Sequence, residues 1–287
     1  MKPAPFAYHK AQTLDHALQL LAEHGEDAKL LAGGQSLVAL MNLRLAQPEV
    51  VIDIDGLSGL SYVLPTEGGL RIGTLTRHRQ LERHPTVLEG FELLPHAARF
   101  VGHYPVRTRG TFGGSIAHAD PAAEWVLLAT LFDADIVIAG PSGVRSVPAS
   151  SFFQGFLTTA LQPDEMVVEV QFGQGVGRSA ITEFSRRHGD FAVVSATVGF
   201  DLDTDGRVCA PRMALGGVAS CAVRLVDAAT ALDGRRLTTD VADEVAAVAA
   251  AEIDDPPSDA HGDAAYRRHL TRTLLRRALL EAYDDRG

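Results

Sequence analysis

The chain has 287 residues, 46% hydrophobic and 22% charged, with a formal net charge of −10. The acidic balance argues against a nucleic-acid binder, which needs a clustered basic surface, and no apolar run reaches the roughly 18 residues of a membrane span. The length accommodates two domains, each able to bury its own core. The N-terminus, Met1 to Phe6, has no long apolar stretch of the signal-peptide kind. The only cysteines are Cys209 and Cys221, a usage that fits a reducing compartment, so a cytoplasmic location is expected. Iron–sulfur clusters usually take four thiolates; two cannot hold one, and both read as buried structural thiols.

In chain order, Leu14, Ala17, Leu18, Leu21 and Ala22 repeat at helical spacing behind Thr13, a natural N-cap, and His24-Gly25 closes that helix. Lys29 to Leu31 reads as a short buried strand. It ends at Ala32-Gly33-Gly34-Gln35-Ser36, after which Val38 to Leu45 is helical and Val50 to Ile54 a second strand. Leu57 to Leu60 looks like a linking turn. Tyr62 to Leu64 and Leu70 to Ile72 form a hairpin around Glu67-Gly68-Gly69, and Thr76 to Arg83 and Val87 to Phe100 read as helices. Thr111-Phe112-Gly113-Gly114-Ser115 follows, then an Ala/Leu-rich helix from Pro121 to Leu131 with proline in its first turn. Ile136 to Ala139, Arg145 to Pro148 and Met166 to Phe172 are expected strands. Gly173 to Gly177, short and glycine-rich, is the expected linker. Beyond it come strands at Ala180 to Arg186, Ala192 to Leu202 and Arg207 to Gly216, and helices at Asp240 to Ile253 and Ala264 to Tyr283. Strands followed by helices give an α+β unit with its sheet covered on one side.

The two glycine clusters carry the most chemical information. A Gly-Gly step tolerates φ > 0 and lets a ligand approach the backbone, and successive exposed N–H groups at such a turn form an anion-binding concavity. Each cluster alone also reads as a plain tight turn. Both end in a hydroxyl, and together they point to one large phosphorylated ligand held from two sides. The G-x-G-x-x-G spacing of nicotinamide-dinucleotide sites is absent, and so is the G-K-[ST] of a P-loop. Asp120 and Glu124 lie four apart; a carboxylate there accepts from sugar hydroxyls, or, for Asp120, caps the next helix. His118 and Asp120 lack further ligands at metal spacing. None of the eleven histidines makes an acid–base pair with a nucleophile, and no G-x-S-x-G elbow is present. The arginines at 267, 268, 272, 276 and 277 read as a solvated helix face, or as a subunit contact.

The runs Leu30 to Leu37 and Thr111 to Glu124 together resemble the FAD-binding medium subunit of molybdenum hydroxylases, the xanthine dehydrogenase and carbon monoxide dehydrogenase family. The resemblance extends over essentially the whole chain. It implies an α+β fold, with a two-lobed FAD-binding domain of the vanillyl-alcohol-oxidase/PCMH type over 1–177 (lobes about 1–58 and 59–177) and a C-terminal α+β domain over 178–287. It also implies noncovalent FAD held by Leu30, Leu31, Ala32, Gly33, Gly34, Gln35, Ser36, Leu37, Val101, Thr111, Gly113, Gly114, Ser115, Asp120, Glu124, Val167, Thr182 and Arg187. Thr182 stands where relatives often carry a lysine, with Arg186 or Arg187 as a substitute near the flavin; a plain Arg–Asp pair with Asp190 is the structural alternative. The implied function is electron transfer through FAD to an external acceptor. The electrons come from 2Fe-2S clusters on a small partner, with molybdopterin on a large one, in a dimer of heterotrimers. The alternatives are a standalone flavin reductase of the same fold, of the type acting on an enolpyruvyl sugar nucleotide, and a scaffold subunit without flavin.

Overall fold

The computed structural model describes residues 2–84 and 90–284. The first unit comprises β1 (Ala7–Lys10), α1 (Leu14–His24), β2 (Ala28–Leu31), α2 (Leu37–Asn42) and β3 (Val50–Asp53). Its sheet is parallel throughout, in the order β1-β3-β2. Thr13 caps α1, accepting from the His16 amide at 3.1 Å, and Gly25 closes it at φ +53°. The strand β1 was not expected from the sequence. It is largely exposed and shows no apolar alternation, and only its pairing with β3 makes it a strand.

A second unit follows: β4 (Val63–Thr66), β5 (Gly69–Gly73), α3 (His78–Glu82), α4 (Leu93–Ala98), α5 (Tyr104–Arg109), α6 (Phe112–His118), α7 (Glu124–Phe132), β6 (Asp135–Gly140), β7 (Gly143–Pro148), α8 (Ala149–Phe152), β8 (Phe153–Gly155), β9 (Thr158–Thr159) and β10 (Met166–Phe172). The five-stranded sheet runs β4-β5-β10-β6-β7, so the last strand inserts between the two hairpins. α7 is apolar all round and buried along its length, which makes it the centre of this core rather than its cover. It starts at Glu124, not at Pro121. Asp120 folds the preceding residues into a turn of its own, its carboxylate accepting from the Ala122 amide at 2.9 Å and its carbonyl from the Ala123 amide at 2.9 Å. Of the helix expected over 87–100, residues 87–89 lie outside the described residues and 93–98 are helical.

The C-terminal unit comprises β11 (Arg178–Phe184), β12 (Val194–Leu202), β13 (Val208–Gly216), β14 (Val223–Arg224), α9 (Val226–Leu232), α10 (Thr239–Ala251) and α11 (Ala264–Asp284). The antiparallel sheet β11-β12-β13-β14 packs its apolar residues with the three helices into one core. The glycine-rich segment ahead of it is not a free linker. Val176 is buried in the second unit's core and its amide donates to the Gly90 carbonyl at 3.1 Å. Nor is α11 simply a solvated arginine face. Arg267 is only 4% exposed, donating to the carbonyls of Val193 and Gly217 and pairing with Asp259, while Arg276 meets Asp243 at 2.9 Å. Arg272 and Arg277 do face solvent. Cys209 and Cys221 are half-buried rather than buried, with sulfurs 3.7 and 3.5 Å from the carbonyls of Arg207 and Phe153.

Replacing Arg267 by methionine strands two buried carbonyls, and this is expected to cost about 2–4 kcal/mol. The fall in urea midpoint relative to Arg272→Met on the exposed side of the same helix measures it.

Candidate functional site

The first glycine loop leaves β2 at Leu31 and enters α2 at Leu37, with Gly34 at φ +71°. The carbonyls of Gly34 and Ser36 accept the first helical bonds, from Val38 at 3.2 Å and Leu40 at 3.0 Å, and the Gln35 side-chain amide holds the Gly33 carbonyl at 3.1 Å. The N–H groups of Gly33, Gly34, Gln35 and Ser36 find no acceptor among the described residues. Neither does the Ser36 hydroxyl, which makes no capping bond. Successive unpaired donors at a helix start suit a phosphate.

The second loop differs. Thr111 caps α6, its hydroxyl accepting from the Gly114 amide at 3.2 Å. The Phe112 and Gly113 amides donate to the carbonyls of Thr76 and Thr74 at 2.8 and 2.9 Å, and Ser115 donates back to Thr111 at 3.1 Å. Its backbone donors are therefore already satisfied within the chain. What it can offer a ligand is the half-buried Ser115 hydroxyl beside the exposed Gly114.

The glycines bring protein against protein as well as leaving room for a ligand. A Cβ on Gly33 would lie 2.3 Å from the Arg109 carbonyl oxygen, and one on Gly113 would lie 1.8 Å from the Thr74 hydroxyl. The two loops thus abut directly through Gly33 and Arg109-Gly110. Arg77 ties the same place, donating to the Arg109 carbonyl and pairing with Asp55 just beyond β3. Beneath Gly110 lies His78, whose amide donates to the Gly110 carbonyl at 3.2 Å and whose Nδ1 accepts from the Trp125 indole at 2.8 Å. Burial, followed by Arg77 and Arg107, lowers its pKa to about 3, so the ring is neutral with the proton on Nε2. Sequence reasoning missed His78 and Trp125. They lie 47 residues apart, and no local pattern marks them.

Past α6, Ala119 takes φ +53° and reverses the chain into the Asp120 turn. This turn meets the C-terminal sheet, where the Gly217 amide donates to the Pro121 carbonyl at 3.0 Å. Glu124, at the head of α7, is 4% exposed. Burial is the first reason its pKa rises to about 8, and repulsion from Glu183 the second, with Asp120 adding to it. Gly33 to Ser36, Thr111 to Ser115 and Asp120 to Glu124 therefore form a connected set. The other sequence-expected residues are placed differently. Leu30, Leu31, Ala32 and Leu37 are half-buried flanks of the first loop. Val101 and Val167 are buried in the second unit's core, Val167 in register with Ile138. Thr182 is turned onto α11, donating to the Leu274 carbonyl at 2.9 Å. Arg187 is exposed in the turn after β11, and no ion pair joins it or Arg186 to Asp190 among the described residues.

Comparison with known proteins bears on this arrangement. Residues 4–173 match a family profile described as the FAD binding domain in molybdopterin dehydrogenase, and residues 179–282 match the CO dehydrogenase flavoprotein C-terminal domain. The chain belongs to the molybdopterin-dehydrogenase flavoprotein family. The 6-hydroxypseudooxynicotine dehydrogenase complex subunit alpha of Paenarthrobacter nicotinovorans is 38% identical over 98% of this chain and 96% of its own length. Among solved structures, a chain of the carbon monoxide dehydrogenase of Hydrogenophaga pseudoflava superposes with a TM-score of 0.93 at 36% identity, covering 99% of each chain. One of the quinoline 2-oxidoreductase of Pseudomonas putida 86 gives 0.94 at 35%, covering 99% of this chain and 98% of that one. The fold is that of these flavoproteins: a two-lobed PCMH-type FAD-binding region and an α+β C-terminal part. In this chain, then, the first glycine loop has unpaired amides among the described residues, and the second offers the Ser115 hydroxyl and packing.

Gly33→Ala forces the loops apart and is expected to lower both bound flavin and melting temperature. Gly34→Ala strains one residue by about 1 kcal/mol and leaves the loop contact in place, so flavin content should fall less; both are read from absorbance of the purified chain. The raised pKa of Glu124 means the folded state holds its proton longer than the unfolded chain. Stability of the flavin-free chain should fall as pH rises from about 5 to about 8, and Glu124→Gln should flatten that slope in urea titrations.

Proposed function

We propose that this chain is the FAD-holding, electron-transferring subunit of a heteromeric molybdenum hydroxylase. The observation that carries the reading is the row of unpaired amides at Gly33 to Ser36, beside hydroxyls of Ser36 and Ser115. That donor set suits the pyrophosphate of a dinucleotide bound without a lysine. Gly34 is half-buried and Gly114 exposed, while Arg77, His78 and Trp125 hold the loops in place from behind. Asp120 retains free lone pairs for sugar hydroxyls beyond its turn bond. Bound FAD supplies the redox chemistry, and the protein positions and tunes it.

In this reading the division of the chain falls at 177/178, supported by cores that segregate largely on either side of it. The iron–sulfur clusters lie on a small partner and the molybdopterin on a large one, because Cys209 and Cys221 are the only thiols here. Relatives are named as a dehydrogenase complex subunit alpha and a carbon monoxide dehydrogenase medium chain, which supports assembly with unlike partners; a dimer of heterotrimers is the form proposed. Among the described residues no helix is long and apolar enough to cross a membrane, and a cytoplasmic location fits the free thiols.

The purified chain is expected to show flavin absorbance bands, and acid precipitation should leave FAD in the supernatant. A colourless chain that takes up no added FAD would refute the assignment.

A further inference from the structure

Glu183 is not among the residues expected to hold FAD, and packing does not account for its position. Side chains alternate along β11. Thr182 is turned onto α11 by its bond to Leu274, so Glu183 projects from the other face, where it repels Glu124 at the head of α7. Its Oε2 is shut off from water and has no hydrogen-bond partner among the described residues. Opposite it in register on β12, Ser195 is completely buried with its hydroxyl equally unpartnered. This pocket of polar atoms is walled by the turn after Asp120: a Cβ on Gly216 would sit 2.5 Å from the Ser195 oxygen and 3.0 Å from the Pro121 carbonyl.

Among the described residues no cation acts on either carboxyl. The groups acting on Glu124 are Glu183 and Asp120. Arg267, buried on the α11 side of the same sheet, is engaged by Val193, Gly217 and Asp259. Two carboxyls brought together from α7 and β11, with an unfilled acceptor and a buried hydroxyl, destabilise a fold. The same arrangement receives a ligand rich in hydrogen-bond donors.

We propose that Glu183 is a second carboxyl of the flavin site, accepting hydrogen bonds from the flavin half of FAD (its ribityl hydroxyls or its imide N–H) opposite Glu124. This rests on the FAD reading above. A proton balance follows. Burial holds Glu183 up to about 7, and burial with Glu183 and Asp120 nearby holds Glu124 up to about 8. The flavin-free chain therefore carries protons on this pair at neutral pH. Donors from the ligand favour the ionised carboxylates, so each proton lost goes to solvent. FAD binding releases protons and tightens as pH rises from about 6 to about 8.

The test is calorimetric titration of the flavin-free full chain with FAD and with ADP, at neutral pH in buffers of different ionisation enthalpy. Wild type should release protons on taking up FAD. Glu183→Ala should bind FAD about tenfold or more weakly and ADP with unchanged affinity, because ADP lacks the flavin half. Glu183→Gln should release fewer protons than wild type. Both variants should melt at a higher temperature than wild type when free of FAD, a gain that a residue serving only the fold would not give. Lumiflavin, which has the imide and lacks the ribityl chain, identifies the donor: an effect of Glu183→Ala that persists assigns the imide, and one that disappears assigns the ribityl chain. Wild-type FAD affinity and proton release in both variants would overturn the assignment, as would an equal loss for FAD and ADP. A wild-type chain that takes up no FAD would instead overturn the flavin reading beneath it.

Discussion

The contact between Gly33 and the Arg109 carbonyl is the constraint on which the rest of this structure turns. It sets the parallel three-stranded unit directly against the segment leading into the second glycine loop, with no room for a β-carbon between them. Everything that would hold a dinucleotide follows from that approach. The first loop's amides are left unpaired among the described residues while its carbonyls at Gly33, Gly34 and Ser36 are engaged, and the second loop lies against it because the two backbones touch. Arg77 and the neutral His78–Trp125 pair are support for this one junction. Neutrality matters: a charged imidazole beneath the loop would bring an unpaired positive charge into the core, beside Arg77 and Arg107.

The two glycine motifs look alike in sequence and do different physical work. At the first, glycine permits positive φ at position 34 and close approach at position 33, and it leaves a run of donors unpaired. At the second, Gly113 is required by the Thr74 side chain, and the amides are tied to Thr74, Thr76 and Thr111. An anion between the loops would thus meet backbone N–H groups on one side and the Ser115 hydroxyl on the other. The backbone of both loops is held by bonds that do not involve the ligand, so little backbone ordering remains to be done on binding.

The acidic end of the site obeys a different logic. Glu124 is buried, the half-buried Glu183 turns one carboxylate oxygen away from water, the two carboxyls repel each other, and the Ser195 hydroxyl has no partner among the described residues. A structure that needed only to be stable would place apolar groups there. Strain of this kind, concentrated where two parts of the chain meet, is what a binding site looks like before its ligand arrives.

Much of the fold was legible in the sequence. The helix behind Thr13, the strand–loop–helix–strand of the first unit, the three long C-terminal strands and the two C-terminal helices all carry periodic apolar patterns, because each buries one face on a continuous core. β1 and α5 were not legible: β1 is a strand only through its partner β3, and the short α5 carries no buried residue. The start of α7 was misplaced because Asp120, a plausible helix cap by type, closes a separate turn. Val176 and Arg267 were misjudged because glycine-rich and arginine-rich segments are usually solvated, and here tertiary contacts bury both. For the site, local composition by itself determined where backbone must be free of side chains and which residues could donate hydrogen bonds. Which amides remain unpaired, that Thr182 turns away while Glu183 turns in, and that His78 lies under the second loop were decided only by tertiary structure. Each depends on what a distant segment places against the residue, and local pattern does not encode that.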